Sequence, residues 1–104
     1  MTLKVMTYNI LNGGVGREHH ILAVLQAVQP DIAILQEVHE SSFLQDLGIT
    51  LNMEPFLTGG NKKRRVALLS RLPIRSAKSH HPLLPIWCNV IQAEIEYDFN
   101  RTLL

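Results

Sequence analysis

Cysteine, aromatic residues and net charge are all scarce in this chain of 104 residues. The single cysteine, Cys88, cannot form an intramolecular disulfide, so a disulfide-stapled scaffold is excluded and a reducing compartment is the simpler assumption. A formal net charge of +1 does not mark the whole chain as a nucleic-acid binder. Trp87, Tyr8 and Tyr97 do not interleave with the main basic cluster, so a stacking platform for single-stranded nucleic acid is not supported.

Long hydrophobic runs are also missing. The chain does not open with a basic segment followed by an apolar one, and no apolar run approaches the length of a membrane span. We therefore expect a soluble, cytoplasmic protein. The hydrophobic fraction of 46% is ample for a core, and the length fits one domain or part of one.

The first third of the chain is typical of a strand, a helix and a second strand. Residues 3–10 and 32–35 are prone to form β-strands, and residues 18–29 between them carry apolar side chains at the spacing of one helix face. The helix should stop before Pro30, since the residue preceding a proline avoids the helical region. A right-handed crossover would make the two strands parallel, with both carboxyl ends at the edge where open α/β sheets bind ligands.

Asn9 and Glu37 stand at the carboxyl ends of these two strands. An amide and a carboxylate at one sheet edge can hold a divalent cation through oxygen ligands, and Mg²⁺ needs only one or two carboxylates because water and substrate oxygens complete its shell. Each residue also has a simpler explanation. Glu37 can be a surface carboxylate just past a strand, and Asn9 can be a turn residue ahead of the glycine-rich sequence.

The rest of the chain predicts one short helix and several strands. Ser42 and Gln45 form a candidate capping box, with Gly48 as the stop of the helix. Residues 54–58 and 66–72 predict a hairpin with a basic loop at its tip.

Farther along, residues 74–85 predict an extended edge segment or a loop, because Pro82 and Pro85 argue against a central strand. Residues 91–97 alternate apolar and polar side chains, as expected of a half-buried strand.

The strongest basic cluster is formed by Lys62, Lys63, Arg64 and Arg65 at the tip of the predicted hairpin. These cations can neutralise the phosphates of a polyanion and would make binding salt-dependent. The alternative is a solvated loop that protects a sheet edge from aggregation.

Other candidate residues are weaker. Arg71 lies within an apolar strand and can be a solvent-facing strand residue, form an ion pair with a neighbouring carboxylate or have another structural role, and Arg17 can reach a phosphate or remain on the surface. The pairs at residues 19–20 and 80–81 are adjacent histidines, which on a strand point to opposite faces and cannot easily share one ion. We therefore do not expect a histidine metal site.

Three segments carry a family resemblance: TYNIL, PDIAILQEV and VALLSRLPI. In this order they resemble the first three blocks of the endonuclease/exonuclease/phosphatase superfamily, the fold of deoxyribonuclease I and exonuclease III. The resemblance implies an α/β (α+β) fold with a mixed sheet, part of a four-layered sandwich. It also implies a phosphodiesterase or nuclease that uses Mg²⁺, with Mn²⁺ as an alternative ion. Asn9 and Glu37 would be its catalytic and metal-binding residues, with Asn9 orienting Glu37 or the scissile phosphate. Because the block VALLSRLPI lies close to the active site in that family, the resemblance also allows Arg71 a place behind the active site.

The later blocks of that family supply a histidine, a GD-x-N segment and a closing Asp-His pair, and this sequence does not contain them. The YDFN of residues 97–100 is similar to GD-x-N but fits a hairpin turn better, with the next strand starting at Thr102. We therefore expect residues 1–104 to be one incomplete domain, the amino-terminal portion, with little activity alone.

The substrate class stays open from sequence, since DNA, RNA, phosphoinositide and sphingolipid phosphodiesters are all used within the resembled family. A second hypothesis is a non-catalytic binding or assembly module that completes its sheet with another chain. That other chain can be a second copy, because an unfinished sheet exposes an unpaired edge and an apolar face.

Overall fold

The computed structural model describes residues 2–59, 64–80, 90–98 and 101–103. The strands in chain order are β1 (Val5–Asn9), β2 (Ile32–Gln36), β3 (Glu54–Leu57), β4 (Val66–Ser70), β5 (Ile74–His80), β6 (Val90–Asp98) and β7 (Arg101–Leu103). The helices are α1 (Glu18–Val28) and α2 (Ser41–Leu51), and a short 3-10 turn covers Asn12–Gly14.

Strands β1 to β4 form one mixed sheet in the order β1-β2-β4-β3. β1 and β2 are parallel because α1 carries the chain back across the sheet, whereas β4 is antiparallel to both β2 and β3. The predicted strand-helix-strand unit and the predicted β3–β4 hairpin are thereby confirmed. Residues 60–63 of the hairpin tip lie outside the described residues.

The two helices cover one face of this sheet and bury its main core. Ile21 and Leu25 of α1 lie one turn apart and are buried, as are Leu44 and Leu47 of α2. The sheet contributes the residues that alternate toward the helices: Ala33, Leu35, Ala67 and Leu69. Burial of this apolar surface is the main force that fixes α1 and α2 on the sheet.

Strands β5, β6 and β7 form a second antiparallel sheet, in that order. It faces the side of the first sheet that the helices leave open, where Ala93 and Ile95 of β6 share a smaller core with Ile32 and Leu68. The described chain is therefore a layer of helices followed by two sheets. A gap of 420 Å³ remains between the sheets, with Val5 half exposed at its rim.

Two predictions for individual elements need correction. α2 runs through Gly48 to Leu51 and ends at Asn52, which adopts the left-handed conformation, so the predicted stop at Gly48 is wrong. A Cβ on Gly48 would lie 2.7 Å from the Met53 carbonyl oxygen, so this glycine is needed for close packing rather than for termination. The predicted capping box does not form either, because Glu40 precedes α2 and no side chain caps it.

The remaining strand predictions hold where the structure describes them. Ile74–His80 is a strand at the edge of the second sheet, with a register shift between Ile74 and Ser76, which confirms the extended alternative for that part. β6 and β7 pair in antiparallel fashion, as the hairpin interpretation of residues 97–100 requires. Neither helix in the described part of the chain is long and apolar enough to cross a membrane.

Candidate active site at the carboxyl ends of β1 and β2

Asn9 is the last residue of β1, and Glu37 is the first residue after β2. The parallel register places Asn9 opposite Gln36, so both chemically distinctive residues reach the same edge of the first sheet. The predicted juxtaposition is therefore present in the fold. It follows from the α1 crossover, which aligns the carboxyl ends of the two strands.

The two side chains meet because the backbone of Glu37 leaves the strand conformation. Ala33 and Leu35 face the helices, and an extended backbone would turn Glu37 to that same buried face. Instead Glu37 has a φ of 61°, in the left-handed region. This conformation brings its carboxylate to Asn9.

A short hydrogen-bond network fixes the pair. The Asn9 Nδ2 donates to Glu37 Oε2 at 2.6 Å, and the backbone N–H of Leu11 donates to Asn9 Oδ1 at 2.9 Å. The backbone N–H of Asn12 donates to the other carboxylate oxygen, Glu37 Oε1, at 3.0 Å. The Asn9 amide thus links the backbone of Leu11, just before the 3-10 turn, to the carboxylate.

Left-handed backbone conformations concentrate at this site. Among the described residues, five non-glycine residues have positive φ: Leu11, Asn12, Gln29, Glu37 and Asn52. Gln29 and Asn52 end the two helices, where such a conformation satisfies the last carbonyls. The other three are Glu37 itself and the neighbouring Leu11 and Asn12. Strain of about 1 kcal/mol or more per residue is retained in proteins mainly where a functional site requires it.

The glycines of the turn allow its close approach to neighbouring elements. Gly13 donates its N–H to the Glu37 carbonyl at 2.9 Å, and a Cβ on Gly13 would lie 2.7 Å from the ring of His39. A Cβ on Gly14 would overlap the side chain of Ile21. The turn is therefore clamped between Glu37 and the start of α1, which is why the run Asn12-Gly13-Gly14 is needed there.

The same donors keep Glu37 ionised. The N–H of Asn12, first, and the amide of Asn9, second, hold the pKa of Glu37 below its ordinary value. Coulombic interactions with the side chains of His39 and Arg64 lower this pKa further, by a smaller amount. A carboxylate that accepts hydrogen bonds and faces positive charge remains charged at neutral pH and is available to a cation.

Arg17 has a role that sequence analysis left undecided. Its Nη2 donates to the carbonyl of Ile10 at 2.9 Å and to that of Leu11. In this structure the guanidinium therefore holds the chain that follows β1. Asn12 was not a candidate site residue in the sequence analysis. Its importance lies in its backbone N–H, and the Asn-Gly-Gly run was the only signal for it.

His39 was also missed by sequence analysis. Its ring packs against Gly13, and its Nε2 is buried without a hydrogen-bond partner among the described residues. The imidazole fills the space beneath the turn that cradles Glu37. Nothing in the spacing of the sequence indicates this contact, because it depends on how the chain leaves β2.

The basic cluster is described only in part. Lys62 and Lys63 lie outside the described residues. Arg64 is exposed and close enough to Glu37 to lower its pKa. Arg65 accepts a bond from the Val38 N–H through its carbonyl, and its Nε is buried without a partner among the described residues. The phosphate-binding role of these residues stays a prediction.

The other candidates lie elsewhere. Arg71 forms an ion pair with buried Asp31 at the opposite edge of the sheet, because β4 runs antiparallel to β2. Its ion-pair interpretation is confirmed, and a place behind the active site is wrong. His19 and His20 are exposed on the first turn of α1, and His80 contacts Gln92 on the second sheet.

Solved structures share this fold. The 3'-5' exonuclease (NExo) from Neisseria meningitidis is 26% identical, with a TM-score of 0.65 over 89% of this chain and 38% of that one. TDP2 from D. rerio complexed with single strand DNA product is 17% identical, with a TM-score of 0.74 over 97% and 43%. An AP endonuclease from Archaeoglobus fulgidus is 23% identical, with a TM-score of 0.61 over 74% and 30%.

This chain thus spans less than half the length of each of these three structures. No curated protein matches its sequence. The profile of the Endonuclease/Exonuclease/phosphatase family, in contrast, matches residues 6–103, which is nearly the whole chain. With the deoxyribonuclease I-like arrangement of helices and mixed sheet described above, this match shows that the chain belongs to the endonuclease/exonuclease/phosphatase family.

Proposed function

We propose that this chain supplies the metal-anchoring part of a Mg²⁺-dependent phosphodiesterase or nuclease. The observation that carries the proposal is the Glu37 carboxylate, held in a left-handed backbone conformation and oriented by donors on both of its oxygens. A surface glutamate needs neither feature. An ionised, oriented carboxylate at a ligand-binding sheet edge suits a cation.

The donor set fits Mg²⁺. Glu37 would hold the ion with a carboxylate oxygen, and Asn9 would contribute through its amide oxygen or by keeping Glu37 in place. No group of three or more His, Cys, Asp or Glu suited to metal binding exists within residues 2–59, 64–80, 90–98 and 101–103. A single protein carboxylate with waters is a coordination that Mg²⁺ accepts. When bound, Mg²⁺ supplies positive charge for the oxygens of a substrate phosphate.

The basic residues would contact the substrate. Arg64 lies near Glu37, so it is placed to neutralise a phosphate that approaches the carboxylate. Lys62, Lys63 and Arg65 would extend this positive surface along the same loop. DNA is one candidate substrate, since the D. rerio TDP2 structure contains a single strand DNA product. Binding should therefore weaken as the salt concentration rises.

We propose further that residues 1–104 alone hydrolyse little substrate. The hydrogen-bond partners that the structure gives the Glu37 carboxylate are amide groups, which do not titrate near neutral pH and so cannot act as a general acid or base. The resemblance implies that later blocks of the family provide the base and the transition-state donor. The compartment remains the one expected from sequence, the cytoplasm.

The test is a titration of the chain with Mg²⁺ and with Mn²⁺, followed by calorimetry or by nuclear magnetic resonance of the backbone amides. We expect one site, with the largest shifts at Asn9, Asn12 and Glu37, and about a hundredfold weaker binding in Glu37→Gln. Asp46→Asn, an exposed carboxylate on α2, is the matched control and should bind as the wild type does. Equal binding by Glu37→Gln and the wild type would overturn the proposal.

A non-catalytic assembly module is the second candidate. The observation in its favour is the apolar gap between the sheets, which is bordered by β1, a strand without an outer neighbour in the described part of the chain. Sedimentation analysis separates the two candidates. A stable dimer without metal binding would favour assembly, and a monomer that binds Mg²⁺ would favour the enzyme part.

A further inference from the structure

One guanidinium group bridges two consecutive carbonyls next to the candidate active site. The Arg17 Nη2 donates to the carbonyls of Ile10 and Leu11, the two residues that directly follow Asn9. A backbone that turns away from a strand exposes such carbonyls, and a charged donor satisfies them better than a neutral one. Arg17 therefore holds the first two residues of the segment that connects β1 to the 3-10 turn.

The base of Arg17 is itself fixed. Its backbone N–H donates to the Gly14 carbonyl at 2.9 Å, and its own carbonyl accepts the N–H of Ile21 in the first turns of α1 at 3.0 Å. The neighbouring acid, Glu18, is engaged by the N–H of Gly16 at 2.9 Å. Arg17 thus links α1 to the segment: its backbone is hydrogen-bonded at the start of the helix, and its guanidinium is hydrogen-bonded to the segment.

This segment and the first residue of the 3-10 turn need external support. Leu11 and Asn12 have φ values of 56° and 50°, which non-glycine residues rarely adopt. Yet the N–H groups of these same residues are the ones that reach Asn9 Oδ1 and Glu37 Oε1. A relaxation of either residue toward an ordinary backbone conformation would turn its N–H away from the site.

We propose that Arg17 is a positioning residue for the Asn9–Glu37 site, because it locks Leu11 and Asn12 in the conformation that orients both side chains. It touches neither the carboxylate nor a substrate in this role. The consequence for metal binding rests on the proposed function, whereas the consequence for the segment does not. The phosphate-binding role that sequence analysis considered for Arg17 is a competing outcome of the test.

The first measurement is amide hydrogen exchange by nuclear magnetic resonance, in metal-free and phosphate-free buffer. In Arg17→Ala we expect the amides of Leu11 and Asn12 to exchange about tenfold faster, since local opening no longer breaks the guanidinium contacts. The amide of Ile32 in the adjacent strand should not change. Arg17→Lys should restore part of the protection, because one ammonium can still donate to a carbonyl.

The second measurement is the dissociation constant for Mn²⁺ alone. We expect an increase of about tenfold in Arg17→Ala and an intermediate value in Arg17→Lys, in line with residues that orient metal ligands. Lys78→Ala, which removes an exposed cation from β5, is the control and should leave the constant unchanged.

The two measurements test the proposed metal site and the positioning role of Arg17 separately. If the wild type binds no Mn²⁺, the proposed function is overturned, and the amide exchange still decides the role of Arg17. Unchanged exchange at Leu11 and Asn12 in the alanine variant would overturn the positioning role, even if Mn²⁺ binding weakened. Weaker phosphate or nucleotide binding with unchanged exchange would assign Arg17 to the substrate instead. If Arg17→Ala fails to fold, Arg17→Lys carries both measurements.

Discussion

Asn9 and Glu37 are 28 residues apart in sequence, and the Asn9 amide donates to the Glu37 carboxylate at 2.6 Å. The contact needs the parallel pairing of β1 and β2 and the left-handed backbone at Glu37. Neither residue alone distinguishes a metal site from a polar surface. Their connection through the N–H groups of Leu11 and Asn12 makes the carboxylate oriented and ionised.

Asn9→Asp should replace this hydrogen bond with repulsion between two carboxylates. We expect a lower melting temperature at pH 7 than in the wild type, because like charges in contact cannot both ionise easily. Mg²⁺ should restore more of the melting temperature in the variant than in the wild type. Asn9→Ala, which loses the donor without adding charge, should show a smaller loss and no such recovery. Equal effects of Mg²⁺ on the two variants would contradict the predicted charge pair.

The ionisation of Glu37 should depend on Asn9. The folded chain holds the pKa of Glu37 below its unfolded value, so the stabilisation is present above the unfolded pKa and is lost as the pH falls through the folded pKa. We expect Asn9→Ala to raise the Glu37 pKa toward its ordinary value, as measured by carbon-detected titration of the carboxyl group. Glu18 is the internal control, because its pKa is lowered by its own N–H and by that of Gly16. A shift at Glu18 of the same size would indicate a general change in the fold.

Gly13 and Gly16 provide a matched pair in the segment before α1. Both have positive φ, 73° and 79°, but a Cβ on Gly13 meets the His39 ring, whereas one on Gly16 meets nothing within 4 Å. We expect urea unfolding to give a loss of about 1–2 kcal/mol for Gly16→Ala and about 2–4 kcal/mol for Gly13→Ala. Adding His39→Ala to Gly13→Ala should recover part of the difference, since the two sites are in contact. Strict additivity of the two changes would show that the overlap is relieved elsewhere.

Asp31 and Arg71 should contribute unequally to stability although they form one ion pair. Asp31 is buried and also accepts the Lys4 N–H at 2.7 Å, whereas the Arg71 side chain is 57% exposed. Asp31→Ala should cost about 1–3 kcal/mol of unfolding free energy, because it leaves the part-buried Lys4 N–H without its partner and removes the buried member of the ion pair. Arg71→Ala should cost about 1 kcal/mol or less. Equal losses in urea unfolding would mean that the charge pair, rather than burial, dominates this edge.

The amino-acid sequence by itself determined the local elements and their order. Apolar periodicity identified α1 and the alternating strand β6, and Pro30 marked the end of the first helix. Hydrophobic runs and turn residues are local signals, so they can be recognised without knowledge of the fold. These signals gave wrong predictions where tertiary packing overrides local preference. Gly48 looks like a helix stop in sequence, but α2 continues to Leu51, and the glycine instead allows the close approach of the Met53 carbonyl.

The tertiary structure decided the chemistry of the site. The sequence predicted that Asn9 and Glu37 lie at one sheet edge. Three other features depend on how two loops meet: the donor to each carboxylate oxygen, the hydrogen bonds of Arg17 and the packing of His39 against Gly13. The tertiary structure also places Arg71 at the end of the sheet away from the site. β4 is antiparallel to β2, so the carboxyl end of β4 lies beside the amino end of β2. Residue types and their order are written in the chain. The direction of a side chain after a strand depends on backbone angles that only the assembled sheet, helix and turn impose.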